Sequence, residues 1–162
     1  MPAIRFLITG GTIDKIYDEI NGSLTFDKTH MPAMLDQSRC HVEITPDIVL
    51  MKDSLEMDDS DREQIYQRCI ACDESRIIIS HGTDTMVDTA EVLSKIEGKT
   101  IVLFGAMIPF SITYSDSLFN LGCAITAAQC LDAGVYITMN GKVFPADNVK
   151  KNTMEGVFQK KK

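Results

Sequence analysis

Three short stretches carry side chains that could do chemistry. Thr9-Gly10-Gly11-Thr12 closes the apolar run Ile4 to Ile8, and His81-Gly82-Thr83-Asp84-Thr85 follows the run RIIIS. Asp53-Ser54-Leu55-Glu56-Met57-Asp58 follows a third strand-like run. A phosphate cradle needs a glycine-rich turn that leads into a helix N-terminus. Here neither the GxGxxG spacing nor a Gly-Lys-Ser/Thr ending is present, and the continuation Ile13-Asp14-Lys15-Ile16-Tyr17-Asp18-Glu19 brings in negative charge. A threonine nucleophile needs different things: a neighbour that takes its proton or lowers its proton affinity, and donors for the oxyanion. Gly10 and Gly11 let the backbone approach a substrate closely and leave N–H groups free. Thr83 lies beside Asp84 where a helix is expected to begin, and that end offers N–H donors and a positive partial charge. Taken singly, Gly-Gly after a strand is a bend and Thr-Asp before a helix is an N-cap. Two threonine loops from neighbouring strands, facing one small polar ligand, shift the balance toward a site.

The elements that must position these loops follow from the apolar pattern. Ile4–Thr9, Arg76–Ser80, Lys99–Met107 and Val135–Met139 read as strands, with a further short one at Gly141–Phe144. Near-continuous runs such as IIIS and IVLFGAM suit strands buried on both faces. His41–Leu50 also reads as a strand, and Pro46 puts it at an edge. Between them, helical patterns are expected at 32–37, from the Asp58-Asp59-Ser60-Asp61 start to Cys72, at Met86–Ile96 and near Ser117–Leu131. Residues 14–31, with Asn21-Gly22, read as an excursion or loose hairpin. This order predicts an α/β fold, a mainly parallel sheet flanked by helices on both faces in a flavodoxin/Rossmann-like three-layer arrangement. In such folds ligands collect at the loops after the C-terminal ends of the strands.

The totals narrow the function further. A chain of 162 residues with 44% hydrophobic and 24% charged residues can bury one core, so one domain is expected over 1–162. A net charge of −7 argues against a nucleic-acid or acidic-membrane surface. The one basic run, Lys160-Lys161-Lys162, reads as a solvated tail. No apolar stretch is long enough to span a bilayer. Five scattered cysteines, and Met1-Pro2-Ala3-Ile4-Arg5 running straight into a strand, lead to the expectation of a cytoplasmic protein. Cys69 and Cys72 fall on one helix face, and no second ligand pair is spaced for zinc.

Five ordered motifs resemble the L-asparaginase family of bacterial-type amidohydrolases. They are TGGTI, HGTDT, its continuation Met86-Val87-Asp88-Thr89-Ala90, IVLFGAMIP, and Ser115-Asp116-Ser117-Leu118-Phe119-Asn120-Leu121; beyond them Asp147-Asn148-Val149-Lys150-Lys151-Asn152-Thr153 resembles the family's lysine segment. The resemblance implies that Thr12 is the nucleophile attacking a side-chain amide and that Thr83 stands across the substrate. It pairs Thr83 with Asp84 and with a lysine, which the register of the last segment places at Lys150, with Lys151 one residue off. It gives Asp84 the substrate's α-ammonium and Ser54 its α-carboxylate, with Gly11 and Gly82 facing the substrate. It assigns Tyr17 as the tyrosine on the mobile segment after the nucleophile. The implied reaction is hydrolysis of L-asparagine to L-aspartate and ammonia, with no metal or organic cofactor and with a homo-oligomer, a dimer or tetramer, closing the site.

Two departures from that pattern bear on function. The family's second, C-terminal domain is expected to be absent, since the chain ends just after the lysine segment. Leu55 stands where a polar amide is common in the family, which weakens selectivity for a free amino acid, and Val149 replaces a polar residue before the lysine. The alternatives are therefore an amidohydrolase for glutamine or a related amide, and a non-catalytic relative that binds an acidic amino acid.

Overall fold

Apolar runs with no alternation must be covered on both faces, and that requirement organises the structure. The computed structural model describes residues 2–161, so Met1 and the last residue of the basic tail, Lys162, lie outside the described residues. The main-sheet strands are β1 (Ile4–Gly10), β4 (Ile44–Lys52), β5 (Arg76–Ser80), β6 (Thr100–Phe104), β7 (Gly134–Met139) and β8 (Lys142–Pro145). Between β1 and β4 come a short hairpin, β2 (Lys15–Asp18) and β3 (Ser23–Phe26), and the helix α1 (Met31–Gln37). The other helices are α2 (Asp59–Ala71), α3 (Met86–Leu93) and α4 (Ser117–Cys130), and a ribbon of β9 (Lys150–Asn152) and β10 (Val157–Gln159) ends the fold.

The sheet order is β4-β1-β5-β6-β7-β8. All neighbours are parallel except the β7–β8 pair. Every residue of β6 is buried. One core layer contains Ile65, Met86, Ala90 and Leu93 from α2 and α3. The other contains Met31, Met34, Leu121 and Ala124 from α1 and α4. Two helices therefore cover each face, the expected three-layer arrangement.

Local chemistry sets the ends of these elements. At the start of α2, the Asp58 carboxylate accepts from the Asp61 amide at 2.9 Å, and the Asp61 carboxylate accepts from the Asp58 amide at 3.1 Å. This reciprocal cap satisfies two amides that a helix start otherwise leaves open. Pro46 sits in the edge strand β4, as its missing donor requires. The hairpin at 15–26 forms its own two-stranded sheet, turning at Gly22 with φ 65°. β6 stops at Phe104, short of the expected Met107. After it the chain is drawn off the sheet, because Asp116 takes the Met107 amide at 3.0 Å and the Ile108 amide at 3.1 Å. The β9–β10 ribbon was not expected from the sequence pattern.

Candidate active site

The three loops singled out by their residue types meet at the C-terminal ends of β1, β4 and β5. Glycine makes the meeting possible. Gly10 and Gly11 have φ of 90° and 80°, a region where a side chain is strained. A Cβ on Gly11 would lie 2.4 Å from the Gly82 nitrogen. A Cβ on Gly82 would lie 2.5 Å from Ser54 Oγ. The TGGT and HGTDT loops thus touch backbone on backbone, and the Ser54 side chain packs on Gly82, with no room for a methyl group at either contact. The Gly11 amide also donates to the Lys52 carbonyl at 2.9 Å, at the end of β4.

Thr12 and Thr83 are the residues that follow the two touching glycines. Thr12 opens a 3-10 turn, Thr12–Asp14, and is half-buried. Thr83 is 6% exposed. The ammonium of Lys151 donates to Thr83 Oγ1 at 2.8 Å and to Asp84 Oδ1 at 2.6 Å. The lysine that contacts Thr83 and Asp84 is Lys151, one residue past the expected Lys150. The reason is strand periodicity: Val149 points into the core, Lys150 is exposed, and Lys151 turns inward again. Burial of Val149 also accounts for the apolar residue at a position read as a departure.

Ser54 lies at the bottom of the cluster, 1% exposed. Its hydroxyl accepts from the Thr85 amide at 3.3 Å, and Thr85 Oγ1 donates to the Ser54 carbonyl at 2.8 Å. Thr85, read in the sequence only as part of a motif, ties the second loop to the third. Leu55 is exposed beside this contact. Tyr17 lies on the hairpin and is 58% exposed. Thr9 ends β1 by donating to the Ser80 carbonyl at 2.6 Å, which makes it a strand-end hydroxyl.

Charge around the loops is paired. Lys15, three residues after Thr12, forms an ion pair with Asp53. Burial alone would raise the Asp53 carboxyl, but the Lys15 ammonium and the Leu55 amide outweigh it and hold it below the usual range. His81 is fully buried, and loss of hydration pushes its imidazole down to about 4. It is held neutral between the Gly82 carbonyl at 2.7 Å and Thr89 Oγ1 at 2.8 Å. Among the described residues no group of three or more His, Cys, Asp or Glu side chains could hold a metal ion.

Hydroxyls, a paired lysine and carboxylate, and a glycine-lined approach suit acyl transfer on a small polar substrate. The family model described as "Asparaginase, N-terminal" matches residues 3–159. The chain is 30% identical over 168 residues to the protein named L-asparaginase 2 of Escherichia coli, covering 97% of this chain and 48% of that one. It is 37% identical over 84 residues to a glutaminase-asparaginase of Pseudomonas fluorescens biotype A, covering 49% of this chain and 23% of that one. The solved structure of the thermostable L-asparaginase from Thermococcus kodakarensis superposes with a TM-score of 0.85 at 27% identity. That match covers 98% of this chain and 51% of the other. The chain thus spans about half or less of the length of these relatives.

Proposed function

The chain belongs to the asparaginase N-terminal domain family, and from that premise we propose that it is an L-asparaginase-type amidohydrolase with Thr12 as its nucleophile. The observation that carries the reading is the Lys151 ammonium shared between Thr83 and Asp84, beside the glycine contact that brings Thr12 and Thr83 together. In the proposed reaction Thr12 Oγ bonds to the side-chain amide carbon of L-asparagine and the carbon–nitrogen bond breaks, releasing ammonia. Water then cleaves the acyl-threonine ester, frees L-aspartate and restores the hydroxyl. The lysine's positive charge lowers the proton affinity of Thr83 and lets it pass a proton. Asp84 takes the α-ammonium by a charge-assisted hydrogen bond, and Ser54 takes the α-carboxylate. Backbone N–H groups near Thr83 serve the oxyanion, since the Gly11 amide is already taken by the Lys52 carbonyl.

The exposed apolar side chain of Leu55 favours a second reading, in which the substrate is glutamine or another small amide. The proposal extends to one domain within these residues and to a homo-oligomer whose interface lies on the hairpin, supported there by exposed Tyr17, Ile20 and Leu24. Five free cysteines support a cytoplasmic setting, and no helix among the described residues is long and apolar enough to cross a membrane. The test is ammonia release from asparagine, glutamine and related amides, with Thr12→Ala as control. Loss of release with an unchanged thermal midpoint is expected, and full activity in that variant would refute the nucleophile. Silence across the panel, with a melting temperature raised by aspartate, would replace hydrolysis by binding.

A further inference from the structure

The mechanism leaves the fully buried carboxylate of Asp14 unused. Asp14 lies in the same 3-10 turn as Thr12 and is 0% exposed. Its oxygens accept from the His30 amide at 2.7 Å and from Thr29 Oγ1 at 2.9 Å. Between those partners and Asp14 the chain runs out through the whole β2–β3 hairpin and back. Asp14 therefore joins the outgoing foot of the hairpin to the returning foot, at the start of α1. His30 is wedged in the same place, with Nδ1 at 3.6 Å from Asp14 Oδ1 and its ring centroid 5.7 Å from that of Phe110. That nitrogen is buried without a hydrogen-bond partner.

A second loop closes on the same foot. The Phe110 amide donates to the Ile13 carbonyl at 3.2 Å, and Ser111 Oγ donates to the Lys15 carbonyl at 2.9 Å. The hairpin is a sheet of its own, with exposed outer residues, so its attachment rests on its feet. We propose that Asp14 is a positioning residue: its carboxylate clamps the two feet of the hairpin and so holds the Thr12 turn in its working place.

The electrostatics support the geometry. Burial raises the Asp14 carboxyl above its usual range even though the His30 amide and the Thr29 hydroxyl pull the other way. A carboxylate kept in a dry place at a cost to its own ionisation is a poor device for bulk stability. It suits a residue retained for where it holds the chain. The inference rests on the proposed amidohydrolase reading only for its effect on turnover, since the clamp itself can be read without substrate.

Hydrogen–deuterium exchange of the full chain tests it, with Asp14→Ala, Asp14→Asn and Thr29→Val measured alongside the wild type. In Asp14→Ala, residues 15–29 should exchange about tenfold faster or more while β1, β5 and β6 keep their protection. The turnover number for ammonia release should fall by a similar factor. Asp14→Asn, which retains an acceptor for the His30 amide and a donor for Thr29, should restore most of both. Unchanged hairpin protection in Asp14→Ala, or loss of protection across the whole sheet, would overturn the clamp. If Asp14→Ala does not fold, Thr29→Val decides: faster exchange confined to 15–29 supports the clamp, and unchanged exchange refutes it. A wild type that releases no ammonia from any amide sinks the functional reading, while the exchange pattern still settles the clamp.

Discussion

At the scale of single residues, the site turns on which of two adjacent lysines faces inward. Lys151 bonds to Thr83 and Asp84, and Lys150 is exposed. Replacing Lys151 by Met should lower the turnover number by about 10²-fold or more, the range for loss of a group that handles a proton. Lys150→Met should leave it near the wild-type value. Steady-state ammonia release measures both, and the reverse pattern would return the role to Lys150. Motif register alone favoured Lys150 because a one-residue shift is invisible in the segment's composition. What decides it is the inward turn of Val149, a fact of packing.

At the scale of elements, the loops meet because glycine lets two backbones touch and the Ser54 side chain pack against them. A methyl group on Gly11 would meet the Gly82 nitrogen at 2.4 Å, in a backbone conformation with φ 80°. Gly11→Ala should cost about 1–3 kcal/mol, as overpacking does, and should push Thr12 away from Thr83. Gly22 provides the contrast: it also has positive φ, at 65°, but a Cβ there meets nothing within 4 Å. Gly22→Ala should cost roughly 1 kcal/mol of backbone strain and keep activity. Urea unfolding with parallel ammonia assays separates the two, and equal loss of activity would contradict the interlock. The strands β1 and β5 and the starts of α2 and α3 were legible in the sequence, because buried runs, acidic caps and Gly-Thr-Asp junctions are local signals. The ribbon β9–β10 was not, because its strands are three residues each, too short for any period to show.

At the scale of the whole molecule, buried His81 links stability to pH. Its imidazole titrates near 4 when folded and near 6.5 when free. The unfolded chain therefore binds the extra proton first. Stability from this group is complete above about pH 6.5, falls as pH drops from there to about 4, and falls no further below that. Integrated over that window the loss is roughly 3 kcal/mol. Denaturant melts between pH 7 and pH 4 measure it, and His81→Gln should flatten that part of the profile. Assembly belongs to this scale as well. With Tyr17, Ile20 and Leu24 exposed on the hairpin, sedimentation should report a dimer or larger, and charged substitutions at Ile20 and Leu24 should shift it toward the monomer. A wild-type monomer at full activity would rule out a partner-completed site.

The sequence by itself determined the alternation of strands and helices, the parallel sheet and the three loops that carry the hydroxyls. Each of these rests on neighbours along the chain: an unbroken apolar run, a cap three residues ahead, a glycine beside a threonine. Tertiary structure decided what lies between distant segments. It put Lys151 rather than Lys150 on Thr83, tied Ser54 to Thr85, paired Lys15 with Asp53, and set Asp14 between the feet of the hairpin. These contacts join residues from 15 to 68 positions apart. They exist only once the sheet has closed and the glycine loops have come within touching distance. For Thr9-Gly10-Gly11-Thr12, residue type identified a hydroxyl that could react, and packing supplied what could make it react.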